Sequence, residues 1–164
     1  MSDARVAIVG VGNLLMGDDG LGPRVIAFLK ARGLDARAEL RDAGLAFGEV
    51  LCEIEPEWTL VVIDAVRGGG EPGSIYRIDP ADIDGQTGTL TQALSLHEVN
   101  VLPILRMEAL AGRAFRDVTI FGVEPERVDW SEELSPTVSR AAEKLVELIV
   151  AFLDERAKKV VTEE

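Results

Sequence analysis

Short apolar runs alternate with segments of helical periodicity along this chain. The clearest run is Thr59–Ile63, which predicts a strand buried on both faces of a sheet. The other predicted strands are Arg5–Gly10, Ala36–Leu40, Ser74–Ile78 and Asp117–Val123. The helices predicted from apolar spacing cover residues 20–33, 47–54, 98–111 and Pro136 to at least Phe152. This alternation predicts an α/β fold with a mostly parallel sheet that is covered on both faces.

Two of the predicted strands differ from the rest. Ala36–Leu40 is more polar, so we expect it near an edge of the sheet. Ser74–Ile78 alternates and follows a short glycine-rich turn, which predicts an antiparallel neighbour. The polar stretch Asp79–Leu96 predicts an irregular loop with at most a short helix, and a loop of this length in a compact domain is more often functional than idle. We expect one domain over residues 1–157 and a frayed polar tail over 158–164.

Composition narrows the possible functions. The net charge of −12 and the pI near 4.5 argue against nucleic acid and anionic membrane surfaces as partners. No apolar stretch reaches the roughly 20 residues of a membrane span, so we expect no membrane insertion. The single cysteine, Cys52, rules out an internal disulfide, and its apolar surroundings predict a core residue. Because no signal-peptide pattern precedes the first strand, we expect a cytoplasmic protein.

The candidate chemistry lies at the ends of the predicted strands. The first strand runs into a glycine-rich stretch that carries Asp18 and Asp19. Asp42 follows the second strand and Asp64 ends the third, and ligands of open α/β sheets bind outside such strand ends. The only histidine, His97, lies between the long polar loop and a predicted helix. Aspartates also cap turns and helices, so each acid taken alone has a structural interpretation as well.

A nucleotide-binding loop fits the first of these features poorly. Gly10 and Gly12 begin a dinucleotide fingerprint, but Leu15 stands where the third glycine belongs. Two acids also precede the helix, and they would repel a pyrophosphate. The lysine of a Walker motif is absent as well. The sequence therefore disfavours a dinucleotide site.

The usual protease sites are incomplete in this sequence. His97-Glu98 begins like a zincin helix, but one histidine cannot supply the two that this site requires. Ser95 lacks the flanking glycines of a nucleophile elbow. What remains is Asp19, Asp64 and His97. A set of nitrogen and oxygen ligands with open positions suits a divalent ion such as nickel or zinc.

Several motifs occur in a fixed order across almost the whole chain. They are Gly10–Gly22, Asp42–Gly44, Ile63–Ala65, Ser95–His97, Gly122–Glu126 and Leu134–Val138. In this order they resemble the motifs of the NiFe-hydrogenase maturation endopeptidases. The resemblance implies a three-layer α/β/α sandwich around a twisted, mostly parallel five-stranded sheet of the phosphorylase/hydrolase-like type.

The resemblance also implies a reaction and a site. Members of this family remove the C-terminal extension of a hydrogenase large-subunit precursor after nickel has been inserted. Carried over by motif, the residues that recognise nickel are Asp19, Asp64 and His97. The turn at Asp42 belongs to the same pattern and is linked to activity or to the shape of the cleft. Nickel would arrive with the substrate, zinc or cadmium could occupy the same site, and we expect a monomer.

Two departures from the family pattern bear on the substrate. Leu45 stands where relatives usually have threonine, and Glu98–Asn100 replace a glycine-containing version. The mechanism has two forms: a metal that polarises the scissile carbonyl, or aspartates that act on water while nickel is only recognised. Two other functions stay open, namely a non-proteolytic checkpoint or chaperone on the nickel-loaded precursor, and a small-molecule hydrolase or phosphorylase.

Overall fold

The computed structural model describes residues 5–83 and 101–162, in which one five-stranded sheet forms the centre. Its strands are β1 (Val6–Val11), β2 (Glu39–Gly44), β3 (Thr59–Ala65), β4 (Ile75–Ile78) and β5 (Asp117–Val123). They lie in the order β2-β1-β3-β5-β4. The first three pairings are parallel and β4 runs antiparallel to β5. The predicted fold class, the edge position of β2 and the antiparallel neighbour are confirmed.

The described helices flank this sheet. They are α1 (Leu21–Ala31), α2 (Phe47–Leu51), α3 (Pro80–Ile83), α4 (Val101–Leu110) and α5 (Pro136–Thr162). Short 3-10 turns at Gly17–Gly20 and Leu34–Ala36 precede α1 and β2. Pro23 lies near the start of α1, where its missing N–H has no intrahelical partner to lose. The chain leaves α1 through Gly33, whose φ of +75° suits glycine.

Successive side chains of the central strands point to opposite faces of the sheet, and this alternation produces two hydrophobic cores. In β1, Ile8 packs into a core with Leu29 of α1 and Leu145 of α5. The next residue, Val9, points to the opposite face and packs with Phe47 of α2 and with the start of α4. Because both faces of β1 and β3 are covered, every residue of these two strands is buried. The result is the three-layer α/β/α architecture.

The largest differences between predicted and observed boundaries lie at β2 and at the end of α5. β2 covers Glu39–Gly44 instead of Ala36–Leu40, because the chain after Gly33 first forms a 3-10 turn. This edge strand carries little apolar signal, so its register was hard to read from the sequence. At the other end of the chain α5 continues to Thr162, so residues 158–162 extend the helix and do not form a frayed tail.

The expectation that Cys52 lies in the core is wrong. The residue follows α2 and is exposed, and its Sγ lies 3.3 Å from the carbonyl oxygen of Gly48. The apolar face of α2 is occupied by Phe47 and Leu51, which are fully buried. Separately, within residues 5–83 and 101–162, no helix is long and apolar enough to cross a membrane.

An ion pair fastens α5 to the amino end of β5. Arg156 donates to both carboxylate oxygens of Asp117, and the hydroxyl of Thr59 donates to the same carboxylate at 2.8 Å. The Arg156 guanidinium holds the pKa of Asp117 below its ordinary value of 3.8, against the opposing effect of burial. This cluster lies at the end of the sheet opposite to the predicted acids.

We therefore predict a pH-dependent stabilisation from Asp117. A lowered pKa in the folded state stabilises the fold above the unfolded pKa of about 3.9, and this stabilisation is lost as the pH falls through the folded-state value. Urea unfolding of wild type and Asp117→Asn should show a clear difference at neutral pH that shrinks below about pH 4. A difference that is equal at neutral and strongly acidic pH would contradict this assignment.

Candidate active site at the carboxyl edge of the sheet

The carboxyl ends of β1, β2 and β3 meet at one edge of the sheet. Gly10 in β1 pairs with Asp42 of β2 on one side and with Ile63 of β3 on the other. Asp64 is the next residue along β3. Asp19 lies in the 3-10 turn that precedes α1. The register therefore brings Asp42 and Asp64 to the same edge, and Asp19 lies in the loop that leaves the strand between them.

The loop between β1 and α1 packs directly against the strand ends, because glycine occupies two points of contact. A Cβ at Gly22, in the first turn of α1, would lie 2.3 Å from the carbonyl oxygen of Val11 and 2.6 Å from that of Ile63. At Gly12 the φ is +135°, and a Cβ would lie 1.9 Å from the carbonyl oxygen of Asp19. A larger residue would have to displace backbone at either point. The start of α1 is thus held against the ends of β1 and β3.

Asp19 and Asp64 are both buried, with 7% and 4% of their surfaces exposed. Oδ2 of Asp19 accepts the backbone N–H of Asn13 at 3.0 Å. The side-chain oxygen of Asn13 in turn accepts the N–H of Leu15 at 3.0 Å. Burying a carboxylate is costly unless hydrogen bonds or a cation compensate for the lost hydration. Asp19 and Asp64 therefore bring two buried carboxylates to the carboxyl edge of the sheet.

The amides of this loop are engaged within the protein. Besides the Asn13 N–H, the N–H of Gly12 donates to the carbonyl oxygen of Gly44 at 2.9 Å, and that of Met16 donates to Asn13 at 3.1 Å. A phosphate-binding loop presents such donors to its ligand. The geometry agrees with the sequence argument against a dinucleotide site.

Asp42 is placed differently from the two buried acids. Its side chain is exposed, and its Oδ1 accepts the N–H of Gly44 at 3.0 Å. This is the hydrogen bond of an Asx turn, in which the carboxylate closes the chain on itself. The carbonyl of Gly44 also receives the Gly12 amide, so the turn is attached to the loop that carries Asp19. This arrangement favours a role for Asp42 in shaping the edge.

His97 lies outside the described residues, so its position relative to the acids remains a prediction. Among the side chains in 5–83 and 101–162, no group of three or more His, Cys, Asp or Glu is arranged to hold a metal ion. The predicted ligand set has two described members, Asp19 and Asp64. A complete set requires a ligand from elsewhere, such as His97 or a group on the substrate.

A buried glutamate that follows β5 organises the opposite side of this edge. Oε2 of Glu124 accepts the N–H of Gly68 at 2.6 Å and the hydroxyl of Tyr76 at 2.9 Å. The Tyr76 oxygen in turn accepts the N–H of Gly70. Burial first, and the hydrogen bond to Glu124 second, raise the pKa of Tyr76 above 10.0. The position of Glu124 after a strand was visible in the sequence, but its partner across the antiparallel pair was not.

The mostly parallel sheet carries these buried carboxylates at the edge where open α/β sheets bind their ligands. A sequence profile described as hydrogenase maturation protease matches residues 23–152. A Methanocaldococcus jannaschii protein described as a candidate hydrogenase maturation protease is 31% identical over 92% of this chain and 97% of its own length.

Solved structures agree with these sequence matches. The hydrogenase maturating endopeptidase HybD of Escherichia coli superposes with a TM-score of 0.73 at 26% identity, covering 92% of this chain and 93% of that one. A hydrogenase 2 maturation peptidase from a Thaumarchaeota archaeon superposes with a TM-score of 0.68 at 31% identity, covering 92% and 98%. The chain belongs to the hydrogenase maturation protease family. It is accordingly a protease.

The single tyrosine gives a direct test of the Glu124 contact. We predict that the absorbance change of Tyr76 ionisation has its midpoint above 10.0 in the folded protein, since burial and Glu124 both disfavour tyrosinate. Glu124→Gln should lower this midpoint, while Glu126→Gln, at an exposed position of the same loop, should leave it unchanged. Equal midpoints in wild type, Glu124→Gln and the urea-unfolded chain would show that the contact is absent.

Proposed function

We propose that this protease removes the C-terminal extension of a hydrogenase large-subunit precursor after nickel has been inserted. The observation that carries the proposal is the pair of buried carboxylates, Asp19 and Asp64, at the carboxyl edge of a maturation-protease fold. The relatives are named for hydrogenase maturation, which supports the same substrate class for this chain. We place the activity in the cytoplasm and in a monomer.

The two acids suit peptide hydrolysis by either of two routes. With His97 they form a nitrogen and oxygen set that suits nickel or zinc, and a divalent ion polarises a carbonyl oxygen as a Lewis acid. In the other route one carboxylate activates a water molecule while a second acid protonates the leaving amine. In both routes the nickel belongs to the substrate. Zinc or cadmium would compete for the same ligands.

Exposed apolar side chains border the acidic edge, and they suit a polypeptide substrate. Trp130 is 79% exposed and precedes Ser131, whose N–H donates to the carbonyl oxygen of Leu15 at 3.0 Å. Leu14 and Leu15, in the loop that carries Asp19, are also exposed. Leu45 is exposed in the turn after β2. Large apolar side chains on these three segments favour contact with an extended chain.

Incubation with nickel-loaded precursor tests the reaction. We expect intact mass to show one shortened large subunit and one released C-terminal peptide. Asp19→Asn, Asp64→Asn and His97→Ala should each abolish release, because each removes a group that binds the metal or acts on water. Asp35→Asn, an exposed acid away from this edge, is the matched control and should cleave normally.

The other outcomes separate the alternatives. A stable complex without peptide release would favour the non-proteolytic checkpoint. Full activity in Asp19→Asn and Asp64→Asn would overturn the site, and an unchanged mass with every large subunit from the same source would overturn the function. Cleavage of precursor without nickel at the same rate as nickel-loaded precursor would support the protease activity and contradict its dependence on nickel.

The exposed apolar side chains of Leu14, Leu15, Leu45 and Trp130 give a separate prediction for substrate binding. Trp130→Ala should raise KM for the precursor on the order of tenfold and leave kcat nearly unchanged, since tryptophan is enriched among the interface residues whose truncation costs about 2 kcal/mol or more, and about 1.4 kcal/mol is tenfold in affinity. Initial rates against precursor concentration measure this effect. Val161→Ala, which removes an exposed apolar side chain at the far end of α5, is the control. An unchanged KM for Trp130→Ala would remove this loop from the binding surface.

A further inference from the structure

Asp18 directly precedes a proposed catalytic residue, and its carboxylate accepts four hydrogen bonds. Its surface is fully buried. Oδ2 accepts the backbone N–H groups of Glu126 and Arg127 at 2.9 and 2.8 Å and the hydroxyl of Ser135 at 2.9 Å. Oδ1 accepts the backbone N–H of Ser135 at 2.7 Å. A buried carboxylate that receives four donors is held in a single orientation.

These bonds join segments that are distant in sequence. Ser135 immediately precedes α5 and caps it, with its hydroxyl 3.3 Å from the N–H of Val138. Main-chain bonds extend the junction, since Gly17 donates to the carbonyl of Ser131 at 2.8 Å and Asp18 donates to that of Arg127 at 3.0 Å. The loop between β1 and α1 is therefore fixed to the loop after β5 and to the start of the longest helix.

Asp19 has little freedom between this junction and the sheet. Its carbonyl oxygen lies where a Cβ on Gly12 would stand, and its Oδ2 accepts the Asn13 amide. On the other side, the preceding residue is anchored by four hydrogen bonds, and both belong to the same 3-10 turn. A rotation of this turn would break the Asp18 bonds and the Asn13 bond together.

We propose that Asp18 is a positioning residue for the cleavage reaction, which fixes the carboxylate of Asp19 by tying its turn to residues 126–135. This inference rests on the proposed function. Asp18 touches neither substrate nor reacting atoms and acts through Asp19. Catalysis is sensitive to such placement, because a shift of about 1 Å in a reacting group can cost on the order of 100-fold in rate.

The direct test is Asp18→Asn, which keeps the shape of the side chain. In the asparagine, an NH2 group replaces one of the two carboxylate oxygens. This NH2 group would face another donor, either the backbone N–H of Ser135 or those of Glu126 and Arg127, so at least one hydrogen bond is lost. We expect kcat for precursor cleavage to fall by roughly 100-fold with KM within about threefold of wild type. In the free enzyme, the Asn13 amide proton should shift in the NMR spectrum and exchange faster with solvent.

Asp117→Asn is the matched control for a purely structural effect. Asp117 is another carboxylate with several donors, at the opposite end of the sheet. This variant should lose stability, yet keep kcat and the Asn13 amide signal. Both variants are compared well below their unfolding midpoints, so that loss of folded protein does not enter the rates.

The possible results each decide the proposal. A wild-type kcat, or a lowered kcat with an unchanged Asn13 amide, would overturn it. If Asp18→Asn does not fold, Ser135→Ala removes one of the four donors and Ser135→Thr restores the hydroxyl. Ser135→Ala should lower kcat and shift the NMR signal of the Asn13 amide. Ser135→Thr should restore the wild-type kcat and the wild-type Asn13 signal. If wild type cleaves no precursor, the proposed function fails, while the Asn13 amide still shows whether Asp18 positions Asp19.

Discussion

The contact between the start of α1 and the strand ends is the constraint on which the candidate site depends. Gly22 brings the helix backbone so near that a Cβ would lie within 2.6 Å of carbonyl oxygens in both β1 and β3. Glycine at such a position costs conformational entropy, typically 0.5–1 kcal/mol relative to alanine. In return, the turn that carries Asp19 takes its position from the strands of the sheet, and sites built on regular elements are placed more precisely than sites on loops.

Acidic side chains fix the loops at this edge to one another. Loop segments leave backbone N–H groups without strand or helix partners, and ionised carboxylates offer acceptors only. Asp18 receives amides from the loop after β5, Glu124 receives one from the loop after β3, and Asp42 closes the turn after β2. Part of the chain's net charge of −12 therefore serves to order the edge.

The spacing of apolar residues predicted those strands and helices whose side chains fill the two cores. The strand Asp117–Val123 was located to the residue because apolar side chains fill it, whereas β2 was displaced because an edge strand needs few of them. Asp18, Asp19, Asp42 and Asp64 were expected at one edge because parallel strands end there, and the family resemblance then selected Asp19, Asp42 and Asp64 among them. The role of Asp18 was not readable in this detail, because its partner Ser135 is 117 residues away. His97 lies outside the described residues and remains a prediction.

The fold is shared with solved structures at 26–31% identity, so most positions can differ while the architecture persists. Core positions tolerate exchanges of similar volume, so most of the two cores can change while the sheet persists. In the proposed site, the chemistry depends on Asp19 and Asp64, and close backbone contacts hold the loop that carries Asp19. The exposed side chains of Leu45 and Trp130 lie on loops and belong to neither core. Such exposed loop positions can therefore change without disturbing the two cores, which fix the strand that carries Asp64 and the helix that follows Asp19.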